Sequence, residues 1–302
     1  MTRFSLVLAF AIALALVPTV ATRAGYDEAA AALKRGDFAA ALNQLRPLAE
    51  QGFARAENDL GVAYQHGLGV AEDGGEAAKW YRRAAEQGLA TAQHNLGVLL
   101  VEGGSVVADA AEGAEWLRKA AEQGLARSQN NLGLLFALGR GVARDDAAAA
   151  AWFRKAAEQG DAKAQFGLAR QLERGHGVAQ DHAEAATWYR KAAKLGHGEA
   201  QNNLGVMYAT GRGVARDLGE AAKWFRLAAG QGYPMAQHSL GVLYAQGRGV
   251  PQDDVAALVW LDLSATLGNA YAARDRDIVA RRMTAEQIAK AQQRARAWKA
   301  EK

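Results

Sequence analysis

Residues 197–232 read HGEAQNNLGVMYATGRGVARDLGEAAKWFRLAAGQG, and the reading of this stretch decides the fold because it recurs six times along the chain. Gly52, Gly88, Gly124, Gly160, Gly196, Gly232 and Gly268 stand 36 residues apart, and Trp80, Trp116, Trp152, Trp188, Trp224 and Trp260 keep the same step. So do Leu60, Leu96, Leu132, Leu168, Leu204 and Leu240, and Val70, Val106, Val142, Val178, Val214 and Val250. The units are 53–88, 89–124, 125–160, 161–196, 197–232 and 233–268. A fixed period of this length marks a repeat array in which each unit is one supersecondary element.

Inside a unit the apolar positions fall four apart, as in Ala56, Leu60 and Tyr64 or Ala200, Leu204 and Tyr208. That spacing lays one buried stripe along a first helix, helix A. Gly67 and Gly69 end it, because glycine accepts the left-handed backbone of a helix C-terminus. Asp73 with Glu76, repeated as Asp109/Glu112, Asp181/Glu184 and Asp217/Glu220, predicts an acidic capping box in which Asp caps helix B and Glu reaches back to the cap. Asp145 and Asp253 keep the cap without the Glu. Helix B carries Ala77, Trp80, Tyr81, Ala84 and Ala85 before Gly88, and its Trp is predicted to fill the core between small neighbours. One helix pair cannot bury both its faces, so the units must stack. The predicted class is all-α: a right-handed α-solenoid of antiparallel helix pairs.

The combination Leu204-Gly205, Tyr208, Gly211, Gly213-Val214, Asp217, Ala221, Trp224-Phe225, Ala228-Ala229 and Gly232 resembles the Sel-one-like repeat, a 36-residue relative of the tetratricopeptide repeat. The resemblance covers residues 53–268. Departures are local: Ser105 replaces the second loop glycine, Ala169 the helix A glycine, and Leu172 the usual Tyr. Resemblance to bacterial members implies an envelope or secreted protein that regulates, scaffolds or assembles by holding other proteins.

The flanks read as ends of the array. Residues 25–52 form a shortened hairpin similar to the tetratricopeptide variant, turning at Gly36-Asp37-Phe38. Beyond Gly268 the positions of Leu240 and Gly241 become Arg276 and Asp277, and Thr284 with Gln287 predicts the start of a last helix to about Trp298, so 269–302 are expected to be capping helices. At the other end, Phe4 to Val17 is an apolar run broken only by Ser5, shorter than the ~20 residues of a membrane span. Followed by Pro18 and small residues, it has the shape of a signal peptide over 1–24, cleaved after Ala21 or Ala24. A retained anchor is the alternative. Loss of Arg3 and Arg23 takes the formal net charge from +4 to +2, too weak to suggest a nucleic-acid partner. With no cysteine the protein must hold together without disulfides in an oxidising compartment. The expected localisation is periplasmic or secreted, and the expected state is a monomer with no membrane span once the leader is removed.

Function is expected on the concave side, on the helix A face opposite the buried Leu. Down the units this face reads Asn58/Val62/Gln65, His94/Val98/Val101, Asn130/Leu134/Ala137, Phe166/Arg170/Glu173, Asn202/Val206/Ala209 and His238/Val242/Ala245. It is an uncharged mixture of amides, imidazoles and small apolar groups, the composition of a peptide groove. Asn58, His94, Asn130, Asn202 and His238 are expected to form a ladder that donates to and accepts from an extended partner; packing between adjacent A helices is the competing reading. Phe166 and Arg170 interrupt the pattern in the fourth unit. A basic row, Arg82-Arg83, Arg118-Lys119, Arg154-Lys155, Arg190-Lys191 and Arg226, suits the C-terminal ends of its helices more simply than an acidic partner.

Nothing in the chain has the spacing of a catalytic or cofactor motif. Gly211-Arg212-Gly213 lacks a third glycine and a preceding strand. His176 with Asp181 and His182 lies in a turn, where no further protein ligand for a metal can be placed. No Ser is followed by Lys three residues on, and no Gly-x-Ser-x-Gly occurs. The expectation is a non-enzymatic protein-binding scaffold with no metal or cofactor, with a glycan- or cell-wall-binding module as the alternative and an envelope hydrolase as the weakest reading.

Overall fold

The computed structural model describes residues 24–104 and 106–300, with side chains through residue 298. The expected leader up to residue 23, and Ser105, lie outside the described residues. Among these the chain is helical with no strand. Helix α1 covers 24–34 and α2 runs Phe38–Glu50. The A helices are α3 (Ala54–His66), α5 (Ala90–Glu102), α7 (Ala126–Leu138), α9 (Ala162–Arg174), α11 (Gly198–Thr210) and α13 (Pro234–Gln246). The B helices are α4 (Gly74–Glu86), α6 (Ala110–Glu122), α8 (Asp146–Glu158), α10 (His182–Lys194), α12 (Leu218–Gly230) and α14 (Asp254–Thr266). Two more follow, α15 (Ala270–Ala280) and α16 (Ala285–Ala300). The chain forms two compact units, one ending at Asp145 and the other beginning at Asp146, in the turn between α7 and α8. From α2 to α7 and from α8 to α15 each helix packs on the next in chain order, the arrangement of an α-solenoid built two helices per step.

Each A helix but α5 ends on a left-handed glycine, such as Gly67 at φ 65° and Gly211 at φ 73°. The second loop glycine has a different task. A Cβ on Gly141 would lie 2.0 Å from the Ala110 carbonyl oxygen, and on Gly213 2.0 Å from that of His182. This glycine lets the loop lie directly on the start of the previous unit's B helix.

Asp73, Asp109, Asp181, Asp217 and Asp253 each accept from a backbone N–H in the first turn of helix B, as predicted. The reciprocal half of the capping box does not form. The backbone N–H of Asp73 donates to Tyr64 at 2.9 Å, and those of Asp109, Asp181 and Asp217 donate to Leu100, Leu172 and Tyr208. Helix A thus already satisfies the group the Glu would have reached, and the Glu is left for other work described below. The full box does form at the last helix, where Thr284 N–H donates to Gln287 Oε1 at 2.9 Å and Gln287 N–H to Thr284 Oγ1 at 3.3 Å.

The core also corrects the expectation for the tryptophans. Trp116 and Trp188 are 8% and 7% exposed and the other helix B tryptophans are half-buried, whereas Tyr81 and Tyr189, one residue on, are completely buried. The residue after Trp packs onto the helix A glycine: a Cβ on Gly61 would fall 2.6 Å from the Tyr81 ring, on Gly97 2.7 Å from Leu117, and on Gly205 2.7 Å from Phe225. The glycine of Leu-Gly is there for close helix approach. Ala169, the exception, is completely buried, so its unit accommodates one methyl group at this position.

A row of buried amides, passed over in the sequence, ties the helices together. Gln93, Gln129, Gln165, Gln201 and Gln237 each donate to a carbonyl of the preceding B helix, at 3.0 to 3.2 Å. Gln123 and Gln231 donate in turn to the oxygens of Gln93 (2.7 Å) and Gln201 (2.8 Å), and to the carbonyls of Gly88 and Gly196. Where the first unit has Glu57 instead, the carboxylate pairs with Arg83 at 2.9 Å and accepts from Gln87 at 2.6 Å. In the second unit α15 and α16 pack against α14, burying Val279, Ala291 and Ala295.

Candidate functional site

Three successive A helices of the first unit, with Tyr26 of α1, line an open cavity of about 550 Å³. Its wall is made by Asn58, Asp59 and Val62 from α3, Thr91 and Asn95 from α5, Leu89 just before α5, and Arg55 and Arg127 from α3 and α7. Arg55, Thr91 and Arg127 hold one position of the repeat. Arg55 and Arg127 stand about one turn before the face read from sequence and Asp59 beside it, and with them the opening carries two guanidinium groups and a carboxylate in addition to the uncharged groups expected.

Of the expected ladder residues, Asn58, His94 and Asn130 are 9%, 9% and 3% exposed. They bond along the array: Asn95 Nδ2 donates to Asn58 Oδ1 at 2.9 Å, and His94 Nδ1 lies 2.8 Å from Ser128 Oγ. Asn58 Nδ2 donates to Asp59 at 3.0 Å and Asn130 Nδ2 to Asn131 at 3.4 Å. In the second unit Asn202 Nδ2 donates to Asn203 at 3.3 Å, and His238 Nε2 is 2.9 Å from Asp275 Oδ2. Asn58, His94 and His238 therefore join their helices to α5, α7 and α15, whereas Asn130 and Asn202 bond to the next residue of their own helix; Asn58, Asp59 and Asn95 all meet the cavity. Burial, with the Arg127 charge behind it, pushes His94 down to about 4, so the ring is neutral at pH 7. Burial raises Asp59 above the usual carboxylate range, against the hydrogen bonds from Tyr26 (2.8 Å) and Asn58 and the charge of Arg55. Tyr26 is raised too, by burial and then by Asp59.

In the fourth unit Phe166 stacks on His197 with ring centroids 4.5 Å apart and tilts against Tyr189 at 5.8 Å. Arg170 is exposed and lies 5.6 Å above the Phe166 ring. Tyr189 Oη donates to Glu173 at 2.8 Å. The aromatic thus replaces the amide with a packed cluster.

The basic row is occupied internally. Lys119, Lys155 and Lys191 sit 3.9, 4.0 and 3.7 Å above Trp116, Trp152 and Trp188, and Arg83 4.6 Å above Trp80. Arg82 pairs with Glu112, and Arg154 with Glu184 at 2.8 Å, a unit further on. The same two glutamates accept from Trp116 and Trp188 at 3.0 and 3.1 Å, which is the work released by the unused half of the capping box. Those contacts lower both carboxylates, the arginine bonds most. Arg190 and Arg226 donate instead to the hydroxyls of Tyr208 and Tyr244.

The Ser–His contact at His94 has the length a nucleophile and its base need, yet Ser128 is completely buried and no substrate can reach it. Among the described residues no three His, Asp or Glu side chains converge on a metal position, and no helix is long and apolar enough to cross a membrane.

The Sel1 repeat matches residues 54–89, 90–125, 126–161, 162–197, 198–233 and 234–269, one residue later than the limits set by the glycine spacing. The chain is 35% identical to a protective antigen of uropathogenic Escherichia coli strains that displays the SLR fold, with a TM-score of 0.83 over 90% of this chain and 62% of that one. It spans less than two thirds of that protein's length. A Sel1 repeat protein from Oxalobacter formigenes is 36% identical, with a TM-score of 0.72 over 84% of this chain and 74% of the other. No curated protein matches it.

Proposed function

Since the chain belongs to the Sel1 repeat family, we propose that it is a non-enzymatic scaffold, exported to the periplasm or beyond, that holds another protein along its A-helix face in envelope regulation or assembly. The observation that carries this reading is the cavity of about 550 Å³ walled by three consecutive A helices. A groove of that size, lined by Asn95, Thr91, Asp59 and Val62, offers an extended segment both hydrogen-bond partners and apolar contact. Export is supported by the apolar run from Phe4 to Val17. A glycan-binding role has less support, because sugar stacking needs free aromatic faces and those of Trp80, Trp116, Trp152 and Trp188 already carry Lys or Arg.

The test has to spare Asn58 and Asn130, whose burial makes any loss of binding ambiguous. Val62→Arg with Asn95→Trp fills the cavity instead. Co-purification from the producing cell should lose the partners retained by the unaltered protein, with the helical circular dichroism unchanged. Lys79→Trp, on an exposed B-helix site, should retain them. Partners that persist in the filled variant refute the groove.

A further inference from the structure

The cavity in the first unit also has a charge pattern, and the pattern specifies the occupant. Arg55 and Arg127 are both exposed at its edge, and neither forms an ion pair with a described residue. This sets them apart from Arg82 and Arg83, which are paired to Glu112 and Glu57. The carboxylate between them, Asp59, has both oxygens occupied by donors, Tyr26 Oη and Asn58 Nδ2. Asp59 forms no ion pair with either guanidinium, and burial outweighs the Arg55 charge, so its proton affinity is raised. Between the two cations lie Asn95, whose Nδ2 is taken by Asn58 so that its oxygen remains as an acceptor, and the Thr91 hydroxyl.

Resting on the groove reading above, we infer that this cavity takes an extended peptide segment carrying two acidic side chains, one for Arg55 and one for Arg127, with uncharged residues between them. Guanidinium groups recognise carboxylates through paired N–H donors. The spacing follows from the fold. The two arginines hold the same position in helices two units apart, and the hydrogen bonds Asn95–Asn58 and His94–Ser128 show that successive A helices touch. Touching helices lie about 8–10 Å apart, so the arginines are spaced by about 20 Å. A strand advances about 3.3 Å per residue, which puts the two acidic positions about six residues apart. The residue that meets Asp59 must be a donor or neutral, and a third acid there would be repelled. Asn95 Oδ1 is placed to accept from a backbone N–H group of the intervening residues.

A library of random linear peptides, displayed with their C-termini fused so that no terminal carboxylate is free, should be selected on the full chain. The winning sequence is then made with blocked ends and titrated by fluorescence anisotropy. The inference expects winners that share two acidic positions about six residues apart, and an affinity that falls as salt is added. Arg55→Gln with Arg127→Gln should weaken binding by about tenfold or more. Asp59→Asn should tighten it, because it removes a like charge while the Tyr26 hydroxyl can still pair with the amide. Winners without the acidic pair, indifference to the double arginine variant, weakening by Asp59→Asn, or binding that needs a free C-terminus each overturn it. If binding is lost in Val62→Arg/Asn95→Trp but not in the arginine variant, the groove stands and the acidic specificity falls. If no peptide is selected, or the filled cavity still binds, both fall.

Discussion

On the B helices the repeating row is Trp with its cation and its glutamate, and at Trp116 and Trp188 each group finds its partner inside the chain. On the A helices the repeating row is an amide or imidazole, and its partners are also internal, but the positions beside it are not all matched. Arg55, Arg127, Thr91 and one side of Asn95 are left facing a cavity. Both rows have one period, so periodicity alone does not separate scaffold from site. The separation comes from counting donors and acceptors: a surface whose polar groups are saturated is architecture, and one with groups left over can bind.

The difference within the B row gives the largest expected effect. Trp188 has its cation at 3.7 Å and its glutamate at 3.1 Å. In the next unit Leu227 stands where the cation would be, Glu220 is held by Lys223, and the buried Trp224 Nε1 has no partner. Trp188→Ala should cost ~3–5 kcal/mol, and Trp224→Ala at least ~1 kcal/mol less, as read by chemical unfolding. Equal costs would mean that the polar partners contribute nothing.

On the A side the buried imidazole gives the next effect. His94 is pushed down to about 4 from an ordinary 6.5, so the unfolded chain binds a proton that the folded chain refuses. Its contribution is complete above about 6.5 and is lost as the pH falls from there toward about 4, by up to ~3 kcal/mol. The pH dependence of unfolding in that window should shrink in His94→Gln; an unchanged slope assigns it to other groups.

Much of this was legible in the sequence. The period of 36 set every helix pair, since Leu, Gly and Asp at fixed steps can do little else than build one. Three things were not. Whether the cap glutamate reaches its own Asp depended on a carbonyl nine residues back, which no local pattern reports. That Tyr81 rather than Trp80 is the buried ring depended on which side of helix B meets Gly61. The ladder residues were found by their position, but their direction was set by neighbours 34 to 37 residues away. The buried Gln row was fully periodic and readable, yet glutamine is so often a surface residue that its repetition carried no weight.

That Gln row supplies a third, smaller effect of opposite sign. Gln165 and Gln237 have a buried oxygen with no donor, and thirty residues on, where Gln123 and Gln231 stand in other units, they meet Leu195 and Leu267. Both leucines are exposed, 60% and 55%. Leu195→Gln or Leu267→Gln should each raise stability by ~1 kcal/mol, visible as a higher midpoint of unfolding. Smallest is the cation itself: Lys191→Gln should cost ~0.5–1 kcal/mol.

The claim that the A side binds and the B side builds is tested most directly by photo-crosslinking in the producing cell, with a photoreactive residue placed once at Asn95 and once at Lys79. The account predicts a discrete crosslinked partner from Asn95 and none from Lys79. A partner caught from Lys79 but not from Asn95 would contradict it.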